Sequence, residues 1–133
     1  MTRTLFPSLV AGALLMGCSA HSPMIISNTA DVDHEDPVAP AHRRGIYLTP
    51  DTFQSDFVRV VGKIDAGTIW YGDDDEALEL IAGKARELGA TAVMQVETWH
   101  QPSGFAWSAP HASGVAVVFT QPIPLDPRRG RVF

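Results

Sequence analysis

From residue 73 to residue 89 the apolar positions recur at the spacing of one helical face. Leu78, Ile81, Ala85 and Leu88 follow a 3, 4, 3 rhythm, with Ala77 and Ala82 beside them. Asp73 and Glu76 have the spacing of a capping box, with Asp in the place of Ser or Thr. Asp74 and Asp75 put negative charge where the helix dipole favours it, Lys84 and Arg86 sit near the opposite end, and Gly89 supplies the stop. The three aspartates lack EF-hand spacing and the downstream Glu, so they mark a helix start and not a calcium loop.

On either side of this helix the period falls to two. Residues 57–64 predict a strand with Val58, Val60 and Ile64 on one face and Arg59 and Lys63 on the other. Residues 65–67 then predict a turn and 68–71 a short second strand, while 46–48 predict a short edge strand. Residues 91–99 predict a strand that turns Ala92, Met94, Val96 and Thr98 one way and Val93, Gln95, Glu97 and Trp99 the other. The run GVAVVFT, residues 114–120, is more uniformly apolar and predicts a central strand. The expected fold is α+β: a small sheet of three to four strands with one main helix packed on it, a β-α-β-β core within residues 45–121.

The remaining segments lack such periods. Residues 100–112 join two strands through a stretch that is long for a hairpin and unusually aromatic, so a loop is expected there and contact with a partner is expected of it. Residues 19–44 mix prolines, acids and small residues, which predicts a disordered tether. As a flexible coil it would span about 28 Å. Residues 122–133 carry three prolines that discourage helix and central strand, and Arg128, Arg129 and Arg131 make them locally basic; an extended, solubilising tail is expected.

The N-terminal pattern differs in kind. Arg3 precedes an apolar run ending at Met16, the layout of a secretory signal, and the run is shorter than the roughly 20 residues a membrane-spanning helix needs. Leu15-Met16-Gly17-Cys18 resembles the bacterial lipoprotein box, in which the cysteine is acylated and the chain is cut before it. Residues 1–17 are therefore expected to be a signal peptide, and Cys18 to be the lipidated first residue of a mature chain of 116 residues anchored in the bilayer. Ser19 stands where aspartate would signal inner-membrane retention, which favours the outer membrane, facing the periplasm.

Composition narrows the function classes. The mature chain has the size of one domain, and its net charge of −5 before cleavage argues against nucleic acid, whose binding needs clustered Lys and Arg. Cys18 is the single cysteine, so no disulfide within the chain can form. No serine sits in a nucleophile elbow, and Ser103, Ser108 and Ser113 near His100 and His111 form no recognisable catalytic pattern. No enzyme is expected, and no cofactor. His100 and His111 bracket the aromatic loop and would face each other across its base, a site for a divalent metal if a third ligand joins them. His21, His34 and His42, set among Asp31, Asp33, Glu35 and Asp36, suit a solvated linker better than a chelate, because ordering it costs entropy. Trp99, Phe105 and Trp107, with Trp70 nearby, form either an exposed partner-binding patch or a cover that completes a small core.

Two stretches, DEALELIAGKARELGATAVMQVE at 75–97 and FAWSAPHASGVAVVF at 105–119, together resemble the YbjQ-like small domains, once described as heavy-metal-binding, and the core of the outer-membrane stress-sensor lipoproteins. The likeness covers residues 57–119 and is anchored in KARELGA, 84–90, and in 114–119. It implies a compact α+β domain and, for the stress-sensor relatives, signalling through contacts with other envelope proteins. Those sensors depend on disulfides in the folded domain, and this chain has no cysteine there. The two functions expected are a membrane-anchored, non-catalytic interaction or sensing module of the cell envelope, capable of self-association, and a small metal-binding protein using His100 and His111.

Overall fold

The computed structural model describes residues 29–33 and 39–133. Among the described residues the architecture is α+β: six strands in one mixed sheet with a single α-helix on one face. The elements are β1 (Thr29–Val32), β2 (Tyr47–Leu48), β3 (Val58–Gly67), α1 (Asp74–Glu87), β4 (Ala92–Ser103), β5 (Ala106–Phe119) and β6 (Arg131–Val132). Their order in the sheet is β1-β3-β5-β4-β2-β6, with β2 parallel to β4 and every other pair antiparallel. The three to four strands expected are the central ones, and β1 and β6 extend the sheet at both edges.

Helix α1 follows the sequence pattern closely. Asp73 is its N-cap, and the carboxylate accepts a hydrogen bond from the Asp75 N–H at 3.2 Å. At the other end Leu88 caps the helix and Gly89 turns left-handed at φ +72°. The Ala90 N–H reaches the Ala85 carbonyl and the Gly89 N–H the Arg86 carbonyl, the paired bonds of a Schellman motif. Ala77, Leu78, Ile81, Ala82, Ala85 and Leu88 are all buried, against Ile46, Val61, Ile64, Ala66, Val93, Ala112 and Ala116 of the sheet. Full burial of a Leu or Ile side chain contributes about 1.5–3 kcal/mol, so this seam supplies most of the attachment.

Three register shifts interrupt the ladders, one of them between Gln101 and Ser103 beside the hairpin turn, and the other two redistribute the faces that strict alternation assigns. In β3 the register shifts between Val60 and Gly62. Val58 and Val60 consequently oppose Phe119 and Val117 on the face away from the helix, whereas Ile64 opposes Gly114 in the helix-side core. The single face expected for Val58, Val60 and Ile64 is thus split between the two sides. In β4 the shift falls between Met94 and Glu97, at Gln95, whose φ is +54°. Ala92, Met94, Glu97 and Trp99 pair with 117, 115, 113 and 111 and share one face; Val93, Thr98 and His100 pair with 116, 112 and 110 on the other. Val96 packs with the helix-side core, opposite to its expected placement beside Met94. An added residue reverses every side chain beyond it, because the strand period is two.

The segments without period are ordered by long-range pairing. Residues 65–67, expected as a turn, complete β3, and 68–71 form no strand. The expected loop 100–112 is instead the far half of a β4–β5 hairpin whose connection is only Gly104-Phe105. Pro110 is tolerated because its carbonyl points toward β3 and takes the Thr68 N–H at 3.1 Å. A strand residue directs N–H and C=O the same way, so the missing donor lies past the end of β3 and no β4–β5 bond is lost. Within the expected tether, Thr29–Val32 pairs with residues 64–67 as β1, and the His42 ring bonds the Ala90 carbonyl at 2.7 Å.

The expected free tail is docked as β6 beside β2, which moves β2 from the sheet edge to the interior. Ile46 and Phe133 exchange backbone hydrogen bonds at 2.8 and 3.0 Å, and the Tyr47 hydroxyl donates to the Asp126 carbonyl at 2.6 Å. Arg129 grips Asp51, and Arg131 forms a forked pair with Asp75 at 2.6 and 2.8 Å. These pairs hold Asp51 and Asp75 below the ordinary carboxylate range through the arginine hydrogen bonds.

At Gly89 a Cβ would collide with the Ala39 carbonyl, and its φ is one that side chains disfavour. Gly89→Ala is expected to destabilise the domain by about 1–3 kcal/mol, read as a lower urea midpoint at unchanged m-value. Gly83→Ala, where nothing lies within 4 Å of the new methyl, is expected to leave the midpoint unchanged or raise it.

Candidate functional site

The hairpin formed by β4 and β5 carries the chain past the end of β3 and gathers the exposed aromatic side chains there. The Phe105 N–H bonds the Ile69 carbonyl at 3.1 Å, which binds the hairpin turn to the segment following β3. Trp70, delivered by that segment, stacks on Phe105 with centroids 5.2 Å apart at 26°. The Trp107 N–H donates to the Tyr71 hydroxyl at 3.2 Å. Four aromatic residues thereby share one end of the sheet, at exposures of 83% for Trp107, 73% for Phe105, 59% for Tyr71 and 56% for Trp70. Aromatic side chains left this open mark a contact surface more often than a core.

Beneath them lies a buried polar group. His111 is almost fully buried, its Nε2 lies 2.8 Å from the Ser103 hydroxyl, and its ring stacks on Trp99 with centroids 5.7 Å apart. Its Nδ1 has no hydrogen-bond partner among the described residues. Burial foremost, and the neighbouring His100 second, hold the imidazole below its ordinary value and so keep it neutral. A neutral imidazole beside a hydroxyl is the first half of a nucleophile–base pair. Here the serine is buried with it, and among the described residues no carboxylate orients Nδ1, the third member that such chemistry uses.

The two sequence-predicted metal ligands do not meet. Trp99 pairs with His111 while His100 pairs with Pro110, and adjacent register positions point to opposite faces. His100 lies on the helix side, where Nδ1 is 3.6 Å from the Asp74 carboxylate and Nε2 is 3.4 Å from the Gly72 carbonyl. Among the described residues no three His, Cys, Asp or Glu side chains converge as metal ligands. Of the expected partner-binding residues, Phe105 and Trp107 are exposed, whereas Trp99 is half-buried on His111. Tyr71 joins this patch without any sequence signal for it, and Trp70, expected only as a neighbour, is a full member. Both are placed by pairing of residues 68–69 with 105 and 110, which no local pattern reveals.

Elsewhere a groove of about 400 Å³ lies between the docked tail and the sheet, lined by Leu48, Leu78, Val96, Thr98, Arg129 and Phe133. Arg129 is committed to Asp51 there, which leaves the lining largely apolar. Cys18, His21 and His34 lie outside the described residues. No helix among the described residues is long and apolar enough to cross a membrane.

The buried His111 generates a pH dependence of stability with a defined sign. Its folded pKa is depressed, so below about pH 6.5 the unfolded chain takes up a proton that the folded chain resists. Its contribution is complete above that value and is lost as pH falls toward the folded pKa. Urea unfolding at pH 7.5, 6.5 and 5.5 is expected to show falling stability for the wild type and a flatter profile for His111→Gln, with identical slopes excluding the assignment.

No family model, no curated protein and no solved structure matches this chain.

Proposed function

We propose that this chain is a cell-envelope lipoprotein held to a membrane by acyl chains on Cys18, with a non-catalytic domain whose aromatic end makes its functional contact. The anchor rests on the signal-like run and the Leu15-Met16-Gly17-Cys18 box, and Ser19, where aspartate would signal inner-membrane retention, favours the outer membrane, facing the periplasm. The contact surface rests on one observation, the clustering of Trp70, Tyr71, Phe105 and Trp107 at the hairpin end. Large aromatics contribute disproportionately to binding because each buries much area at little conformational cost. The braced Ser103–His111–Trp99 stack stiffens the hairpin that presents them, and stiffness lowers the ordering cost of contact. The outer-membrane stress-sensor lipoproteins provide a family precedent for sensing in this setting, on the sequence likeness alone.

Replacing Cys18 by Ala is expected to leave an uncut precursor or a soluble periplasmic product, assayed by cell fractionation. Mature protein that stays membrane-bound would overturn the anchor. A photo-crosslinking residue at Trp107 is expected to yield a defined envelope adduct, while the same residue at Val132, also well exposed at 70% but on β6, yields none. Equal labelling from both positions would overturn the aromatic end as the contact surface.

A further inference from the structure

We infer that the aromatic end is a membrane foot: Trp70, Tyr71, Phe105 and Trp107 seat in the headgroup layer of the same bilayer that holds Cys18, and so fix the domain's orientation on it. The inference rests on the lipid-anchor reading and names what the aromatic end touches.

Residues 66–72 (AGTIWYG) and 101–110 (QPSGFAWSAP), which build this end, contain no Asp, Glu, Lys, Arg or His. An uncharged, Trp- and Tyr-bearing tip has the composition that partitions to the bilayer interface. The acids at 73–76 stand just behind the tip, where they would be repelled by an anionic surface, so the matching surface is a neutral, zwitterionic one.

The path of the chain brings the anchor to the same end. β1 runs antiparallel to β3 with Thr29 opposite Gly67, and Gly67 is also the partner of His111. Thr29, the first residue of the strand, therefore lies at the end of the sheet from which the hairpin projects. The six residues from His111 to Phe105 carry the tip about 20 Å beyond that level, at roughly 3.3 Å per residue. Eleven peptide steps separate Cys18 from Thr29, which allows a reach of at most about 40 Å. The acylated residue can thus lie in the plane of the aromatic tip, and the short connection keeps that end of the domain facing the bilayer.

The test uses the full chain, purified from membranes and reconstituted in phosphatidylcholine vesicles with or without bromine on the upper acyl chain, with the intact mass of the same preparation reporting acylation. Bromine is expected to quench the tryptophan fluorescence of the wild type. Trp107→Phe is expected to lose about half of that quenching, because Trp99 is half-buried on His111, away from the tip. Phe105→Ser, which retains every tryptophan and alters a largely exposed side chain, is expected to reduce it about twofold, and Phe57→Ser, before the opposite end of β3, to leave it unchanged. An acylated protein that bromine does not quench, or whose quenching ignores Phe105→Ser while its circular dichroism is native, overturns the foot and leaves the anchor standing. A mass without acyl chains overturns the anchor and the foot with it.

Discussion

The structure depends on how closely α1 seats on β5. The helix-facing positions of that strand are Ala112, Gly114 and Ala116, and the helix answers with Ala77, Ala82 and Ala85. Small residues on both sides bring the backbones together, so Ile64, Ile81 and Val93 fill the flanks completely. At Gly114 the side chains of β4 close over the strand: a Cβ there would meet Val93 Cγ1 at 2.5 Å and Val96 Cγ2 at 3.2 Å. The Gln95 bulge is what turns Val96 inward over that glycine, so the irregularity in β4 and the missing side chain in β5 are one feature. With about 1.5–3 kcal/mol for each buried Leu or Ile against about 0–1 for an exposed ion pair, this seam outweighs the surface charges.

The exposed arginine–carboxylate pairs serve position more than stability. Arg129 holds Asp51, whose carbonyl takes the Gln95 N–H at 2.9 Å, so the docked tail reaches the bulge through two bonds. Arg131 holds Asp75 at the helix start while its guanidinium lies 4.8 Å over the Phe133 ring. The tail thereby joins helix, bulge and β2. It also leaves only the two-residue β6 at one edge of the sheet and the four-residue β1 at the other, short edges that offer little template for strand addition.

Beyond the helix the β4–β5 hairpin continues with less support, and its side chains change character accordingly. On one face Thr98 donates to the Asp74 carboxylate at 2.7 Å, and His100 lies beside the same group. On the other, the Trp99, His111 and Ser103 stack supplies a small buried centre of its own. Past both, no apolar surface among the described residues covers the tip, and the aromatic side chains there stay open. An end that the core cannot cover is the part of so small a domain that is available for contact.

How much of this was legible in the sequence depends on the range of the interactions. Helix α1 was readable to its buried residues, cap and stop, because capping and a 3.6-residue period are set within a few residues. The run GVAVVFT likewise announced a central strand by its uniform apolarity. The exposure of Phe105 and Trp107 was one of two alternatives the sequence left open. Only the tertiary structure decided the rest: the bulges that turn Ile64 and Val96 to the helix side, the opposite faces of His100 and His111, the hairpin in place of a loop, and the capture of residues 29–32 and 131–132 as edge strands. Each of these is a choice of register or partner between residues far apart in the chain, and with a strand period of two a single-residue shift reverses a face while leaving the local pattern unchanged.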